Sequence, residues 1–354
     1  MISSNQIITF LHNIILLLYI IILYYYILYC IIPRDITPHP DAETMESNNN
    51  IAGVIFQERM FLAWRTAPAH FAGMETKIHI VSSGDGGATW EMEKTIFFGR
   101  DLREPFFLPI EDKLVFSFFE GGTNPVDFEP LGLFRMERLG LGDWTEPELF
   151  GHDGEVIWEI VRENGTAFAQ SYSGDYSTPG DAQDLGKLNM FLNKSEDGVS
   201  WEPVGSEVVY HGGLTELGFY FDLDGNMWGV GRNEDGDDSG WGSRTFFAPN
   251  DDLSNWQFIS NESDPWIYES PKMFRHGSEL YLVARTDPEG PFWSRDNPVL
   301  STLPAWEHHL WDLVQFSFRQ HGTAIWRLDQ LTGSLEMVVE LAGCGDTAFP
   351  SIIR

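Results

Sequence analysis

The chain has 354 residues, 43% of them hydrophobic and 14% aromatic, enough to bury a large core and exclude a disordered chain. Its 53 acidic side chains against 22 lysines and arginines give a formal net charge of -31. That balance excludes a nucleic-acid partner, because phosphate backbones are bound by clustered cations.

In chain order, residues Ile7–Ile32 are apolar or Tyr apart from Thr9, His12 and Asn13, long enough to cross a bilayer as one helix. The flanks MISSNQ and CIIPRD lack the basic start and small-residue cleavage site of a removable signal peptide, so residues 1–33 read as an uncleaved single-pass membrane anchor. Arg34 argues for a cytoplasmic C-terminal side and the sequons at Asn164, Asn193 and Asn261 for an extracytoplasmic one, which is the placement expected. Residues 34–50 form a polar tether with two prolines, and Pro33 precedes it. Two cysteines, Cys30 and Cys344, supply neither a disulfide framework nor a zinc site.

From Ile51 the pattern changes to short β-like runs separated by Gly, Asp and Asn, and a hairpin recurs about every fifty residues. Its copies are Val54–Arg65, Glu104–Glu120, Glu159–Tyr172, Glu216–Arg232 and Glu269–Arg285, and FPSIIR at the end of the chain resembles the start of a sixth. Turn chemistry at Glu111-Asp112, Asn164-Gly165, Asp224-Gly225 and His276-Gly277 supports each later hairpin. Two further strands follow every copy. Four strands in such a repeat make one blade of a β-propeller. The spacing predicts a six-bladed propeller over 51–354 whose sixth blade is incomplete; a five-bladed ring closed by FPSIIR is the alternative.

Two turns between third and fourth strands share a pattern. Ser83, Asp85, Gly87, Thr89 and Trp90 match S-x-D-x-G-x-T-W, and Ser195, Asp197, Gly198 and Trp201 match a version one residue shorter. In such a turn the Asp accepts backbone N–H groups, Gly supplies φ > 0 and Trp fills the space below. These are Asp boxes (BNR repeats), and with AWRTAPAHF, REPFFL, the Gly231–Asp237 run and YESPKMF the chain resembles the sialidase superfamily, in particular bacterial exo-sialidase-like proteins.

Antiparallel order places the Asp-box turns on one face and the starts of first strands, with the ends of second strands, on the other. Glu104, Glu159, Glu216 and Glu269 stand at four starts, Asp346 before the next, and Arg65, Glu120, Tyr172, Arg232 and Arg285 at the ends. His70, Arg103, Glu234 and Asp235 lie in adjoining loops. Acids and arginines therefore converge on one rim. For any single pair, an ion pair closing a seam between blades is the plain alternative. The family resemblance implies an arginine cluster of Arg65, Arg232 and Arg285 for a sialic acid carboxylate, with His70 and Arg103 nearby. It implies Glu216 or Glu269 as the activating carboxylate and Tyr172 or Tyr268 as nucleophile. The family's Arg-Ile-Pro motif is absent from the first blade, and no Asp stands in the acid/base position. Arg103-Glu104-Pro105 and Glu269-Ser270-Pro271 instead resemble carboxylate motifs of five-bladed glycosidases and glycoside phosphorylases.

The acidic run Asn233–Ser239 carries oxygen ligands enough for Ca²⁺ but lacks the twelve-residue loop pattern of an EF-hand, so it reads as a solvated turn; no metal and no cofactor are expected. The functional expectation is a glycan-acting exo-glycosidase of sialidase type. The alternatives are a non-catalytic carbohydrate-binding propeller, a five-bladed glycosidase or phosphorylase, and a structural platform whose rim arginines are all neutralised by acids.

Overall fold

The computed structural model describes residues 44–125, 128–174, 188–286, 321–341 and 348–353. The helix expected at Ile7–Ile32 and the rim residue Asp346 lie outside them. Among the described residues no helix is long and apolar enough to cross a membrane.

The strands form five antiparallel sheets in chain order. The first holds β1 (Ser47–Phe56), β2 (Arg59–Ala67), β3 (Lys77–Ser83) and β4 (Glu91–Ile96). The second holds β5 (Leu102–Ile110), β6 (Lys113–Gly121), β7 (Pro130–Gly140), β8 (Asp143–Trp144) and β9 (Glu148–Phe150). In the third are β10 (Val156–Glu163), β11 (Thr166–Ser173), β12 (Leu188–Ser195), β13 (Glu202–Pro203) and β14 (Tyr210–Gly212). The fourth has β15 (Leu214–Phe221), β16 (Met227–Asp237), β17 (Gly240–Ala248) and β18 (Gln257–Phe258); the fifth has β19 (Lys272–His276), β20 (Glu279–Thr286), β21 (Gly322–Leu328) and β22 (Leu335–Leu341). First strands are neighbours in sequence order: β1 beside β5, β5 beside β10, β10 beside β15 and β15 beside β19.

The blade count is five among the described residues, not the six expected. Phe349–Ile353 starts no further sheet but runs from the fifth blade back to the first. The Ala348 N–H donates to Thr323 Oγ1 of β21 (3.0 Å), and the Gly53 N–H of β1 donates to Ser351 Oγ (2.8 Å). Gly53 admits this approach because a Cβ there would lie 2.8 Å from Ile353 Cδ1. The wide spacing that suggested a sixth blade comes instead from the long insertion between the second and third strands of the fifth. Likewise β1 begins at Ser47, ahead of the expected start at Ile51.

Both faces of inner strands are covered, so their sequences are nearly continuous in apolar residues rather than alternating. Phe61, Ile78, Ile80, Phe116 and Phe118 fill the space between the first two blades. Trp158, Phe219, Phe246, Leu282 and Trp326 belong to a larger core shared by the third, fourth and fifth. Each such side chain contributes roughly 1.5–3 kcal/mol by leaving water. A buried carboxylate staples the first two blades: Glu93 accepts from Arg138 Nη2 (3.0 Å), Ser82 Oγ (2.7 Å), the Gly142 N–H (3.0 Å) and Trp144 Nε1 (3.3 Å).

The turns after β3 and β12 are tied by short-range bonds on the face away from the first-strand starts. The Thr89 N–H donates to Asp85 Oδ1, the Gly87 N–H to Ser83 Oγ and Trp90 Nε1 to the Gly87 carbonyl. Thr89 hydroxyl and N–H donors, with Ser83, hold the Asp85 carboxyl down to about 2. After β12, the Ser200 and Val199 N–H groups hold Asp197 below the usual carboxylate range, the Gly198 N–H donates to Ser195 Oγ, and Trp201 packs on Ile110 and Val115.

Candidate active site

Every first strand carries an irregularity where it enters the sheet. The β1/β2 register shifts between Asn49 and Ala52, β5/β6 between Arg103 and Phe106, β10/β11 between Ile157 and Glu159, and β15/β16 between Leu214 and Leu217. In the fifth blade the Arg285 N–H reaches the Glu269 carbonyl (2.8 Å) while the ladder proper starts at Lys272. An extra residue in one strand re-aims its side chain and commonly borders a functional site. Asn50, Glu104 and Ser270, at these points, take φ of 48°, 47° and 52°. Left-handed backbone is costly for residues other than glycine, and it is retained where the surroundings over-determine it.

The irregularities gather polar side chains around the axis. Asn50 Nδ2 donates to Glu104 Oε1 at 2.5 Å. Burial pushes the Glu104 carboxyl up to about 8, the neighbouring Glu216 adds to the rise, and Lys272, Arg103 and Arg65 partly oppose it. The surroundings of Glu104 therefore favour its protonated form. Glu216 Oε2 accepts the Ser270 N–H (2.6 Å), and its Oε1 lies 3.5 Å from Arg232 Nη1. Lys272 Nζ stands 3.4 Å from Glu159 Oε2, donates to the Trp158 carbonyl, and sits 4.4 Å from the Phe106 ring centre and 5.3 Å from that of Trp158.

The arginines fall into two groups. Arg65 is fully buried; its Nε and Nη2 donate to Asp101 Oδ1, Nη1 to Asn49 Oδ1 and the Ala69 carbonyl, and Nη2 to the Phe71 carbonyl. Arg103 bonds the other Asp101 oxygen and the His70 carbonyl (2.8 Å). Together they hold the 69–71 loop, with His70 Nδ1 3.4 Å from Asn49 Nδ2. Around Glu269 stand Arg232 (3.1 Å to Oε1) and Arg285, which donates to Oε2. Arg232 also pairs with Glu234 (2.9 Å). Burial pushes the Glu269 carboxyl up, but Arg232 and Arg285 outweigh it and bring it down to about 2.

Of the residues expected from sequence, the structure brings Glu104, Glu216, Glu269, Arg232 and Arg285 to one region and sets Arg65, Arg103 and His70 beside it. Tyr172 is 4% exposed, within the larger apolar core. Tyr268 is buried too; its hydroxyl meets Asp264 Oδ2 at 3.4 Å, and burial with that charge raises its pKa. The run expected to be a solvated turn instead extends the β16–β17 hairpin, where Asn233 is fully buried and its Nδ2 donates to the Gly240 carbonyl (2.6 Å).

No family model matches this chain, and no curated protein matches it. Among solved structures it is similar to a protein of unknown function from Dyadobacter fermentans, with TM-score 0.55, 14% identity, and 87% of each chain covered. It is also similar to Trypanosoma rangeli sialidase, with TM-score 0.52, 14% identity, and 87% of this chain covered against 50% of that one. The family 117 glycoside hydrolase Zg3597 of Zobellia galactanivorans aligns with TM-score 0.44 and 13% identity over 71% of this chain and 81% of that one. The chain is a β-propeller. Within this propeller the likeness is one of fold, and the chemistry has to be read from the site.

Three site residues carry no sequence signal of their own. Asn50 hides in a run of asparagines ahead of the first apolar alternation. Lys272 lies inside YESPKMF, where it reads as an ordinary strand residue. Asp101 precedes the Arg103-Glu104-Pro105 motif, and only the fold shows that it joins Arg65 to Arg103.

Proposed function

We propose that the propeller is a glycoside hydrolase acting on an uncharged sugar, with Glu104 as general acid and Glu216 as the carboxylate that activates water or attacks the anomeric carbon. The observation that carries this reading is that the irregular starts of β5 and β15 bring Glu104 near enough to Glu216 for that second carboxylate to add to the rise of the Glu104 pKa. Two carboxyl groups in different protonation states are the apparatus of glycosidic bond cleavage. Glu104 would protonate the leaving oxygen as the C–O bond breaks. Lys272, between Glu159 and the Phe106 and Trp158 rings, would fix Glu159 beside the reacting pair.

The sialoside expectation fares less well on electrostatics. A sialic acid carboxylate needs guanidinium groups to spare, yet Arg65 and Arg103 face Asp101, while Arg232 and Arg285 face Glu269. An anionic sugar would have to compete with carboxylates already seated, whereas neutral hydroxyls would not. Location on the extracytoplasmic side of a membrane is part of the proposal; it rests on Ile7–Ile32 for the membrane and on the sequons at Asn164, Asn193 and Asn261 for the side, and cell fractionation with protease protection tests it.

The experiment is a panel of aryl glycosides, neutral and sialic, with wild type, Glu104→Gln and Glu216→Gln, each shown folded by near-UV circular dichroism. The expected result is turnover of a neutral glycoside. Glu104→Gln should lose at least a hundredfold with a poor leaving group and far less with dinitrophenol, which needs no proton. Exclusive cleavage of the sialoside would overturn the neutral-sugar reading, and no turnover by folded wild type would overturn the enzymatic one.

A further inference from the structure

Asn50 is only 3% exposed, and the two ends of its carboxamide have different surroundings. Nδ2 is committed to Glu104 Oε1. Oδ1 is buried and, among the described residues, accepts no hydrogen bond. A buried amide oxygen without a donor is a standing cost, and native structures keep such groups where a ligand or water completes them. The side chain is held there by left-handed backbone at φ 48°, in the irregularity of β1 that faces the equivalent one of β5 bearing Glu104.

We infer that Asn50 is a substrate-positioning residue: its amide nitrogen holds Glu104 while its buried carbonyl oxygen receives a hydroxyl of the bound sugar. The inference rests on the glycosidase reading of the same site and adds the group through which the sugar is aligned to the acid. Chemistry narrows the ligand. Whether Glu104 is ionised or carries its proton on Oε2, its Oε1 accepts from Nδ2, so Oδ1 is left to accept from the ligand in both states. The ligand group must therefore donate a hydrogen bond, which a sugar hydroxyl does and a carboxylate does not. The charges acting on Glu104 from the surrounding elements, Glu216 on β15, Lys272 on β19, Arg103 on β5 and Arg65 on β2, are of both signs and do not replace this contact.

The test uses full-length protein labelled with ¹⁵N-asparagine and ¹³C-carboxyl glutamate. Signals of Asn50 and Glu104 are assigned by their loss in Asn50→Ala and Glu104→Gln. D-galactose, D-mannose and L-arabinose are titrated in, with N-acetylneuraminic acid as the carboxylate control. The expected result is that one neutral sugar moves the Asn50 amide and Glu104 carboxyl signals together, and that Asn50→Ala weakens its binding at least tenfold. Asn50→Asp keeps an acceptor for the hydroxyl but loses the donor to Glu104, so it should retain sugar binding within about threefold while moving the Glu104 titration upward. A neutral sugar that binds with the Asn50 amide unmoved and equal affinity for Asn50→Ala would overturn the inference and leave the glycosidase reading standing. No neutral sugar bound by wild type would overturn both. If Asn50→Ala fails to fold, Asn50→Asp supplies the assignment, and a wild-type Asn50 amide unmoved by a bound neutral sugar overturns the inference by itself.

Discussion

Glu269 and Arg285 are joined twice: the Arg285 N–H donates to the Glu269 carbonyl at 2.8 Å, and its guanidinium donates to Glu269 Oε2. The hairpin Glu269–Arg285 requires the first link, since its ends return to one edge of the sheet. The second makes Glu269 the shared counter-ion of Arg285 and Arg232, so one carboxylate holds together the second strands of the fourth and fifth blades.

Replacing Glu269 by Gln should therefore destabilise the fold by about 3–5 kcal/mol, because two largely buried guanidinium groups lose their common partner. The pH dependence has a definite sign. The folded carboxyl stands at about 2, below the ordinary glutamate value of 4.5, so its contribution is complete above about 4.5 and is lost as pH falls towards 2. Urea melts of wild type and Glu269→Gln should differ by on the order of 3 kcal/mol at pH 6 and converge near pH 2.

Glu104 behaves in the opposite sense. Its carboxyl stands at about 8 in the fold against the ordinary glutamate value of 4.5, so the fold favours the protonated form and stability falls as pH rises between those values. Glu104→Gln, which stays neutral, should be more stable than wild type at pH 9 by roughly 2–4 kcal/mol and nearly equal to it at pH 4.5. With Glu104 as the general acid proposed above, kcat/KM should decline above about pH 8, which a pH profile with a poor leaving group would show.

Arg65→Ala should cost about 3–5 kcal/mol and abolish binding at the site, because it leaves Asp101 buried without its main partner and releases the carbonyls of Ala69 and Phe71. Arg65→Lys keeps the charge but not the fork of donors and should recover less than half the loss. Thermal unfolding with ligand titration measures both.

The Glu93 staple supplies a control away from the first-strand starts. Glu93→Gln removes the charge facing Arg138 and weakens four donors at once, and about 2–4 kcal/mol of stability should go with it. Turnover measured below the melting range should stay within twofold of wild type. A large loss of kcat would show that packing between the first two blades shapes the site.

What the sequence by itself determined is the part governed by local chemistry. Hairpins turning at Asn164-Gly165, Asp224-Gly225 and His276-Gly277 are fixed by residues that take tight turns, and their recurrence declares a β-propeller. Antiparallel order then puts Glu104, Glu216, Glu269, Arg232 and Arg285 on one rim, since hairpin ends must share an edge. Tertiary structure decided what depends on contacts distant in sequence. Five blades rather than six among the described residues go with Ser351 meeting Gly53, a contact that no local pattern encodes. Arg65 meets Asp101 and Arg232 meets Glu269 because side chains from successive blades come together only once the ring is assembled. Asn50 enters the site because the backbone irregularity at the start of β1 turns it towards Glu104, and a run of polar residues gives no sign of which one the axis will bury.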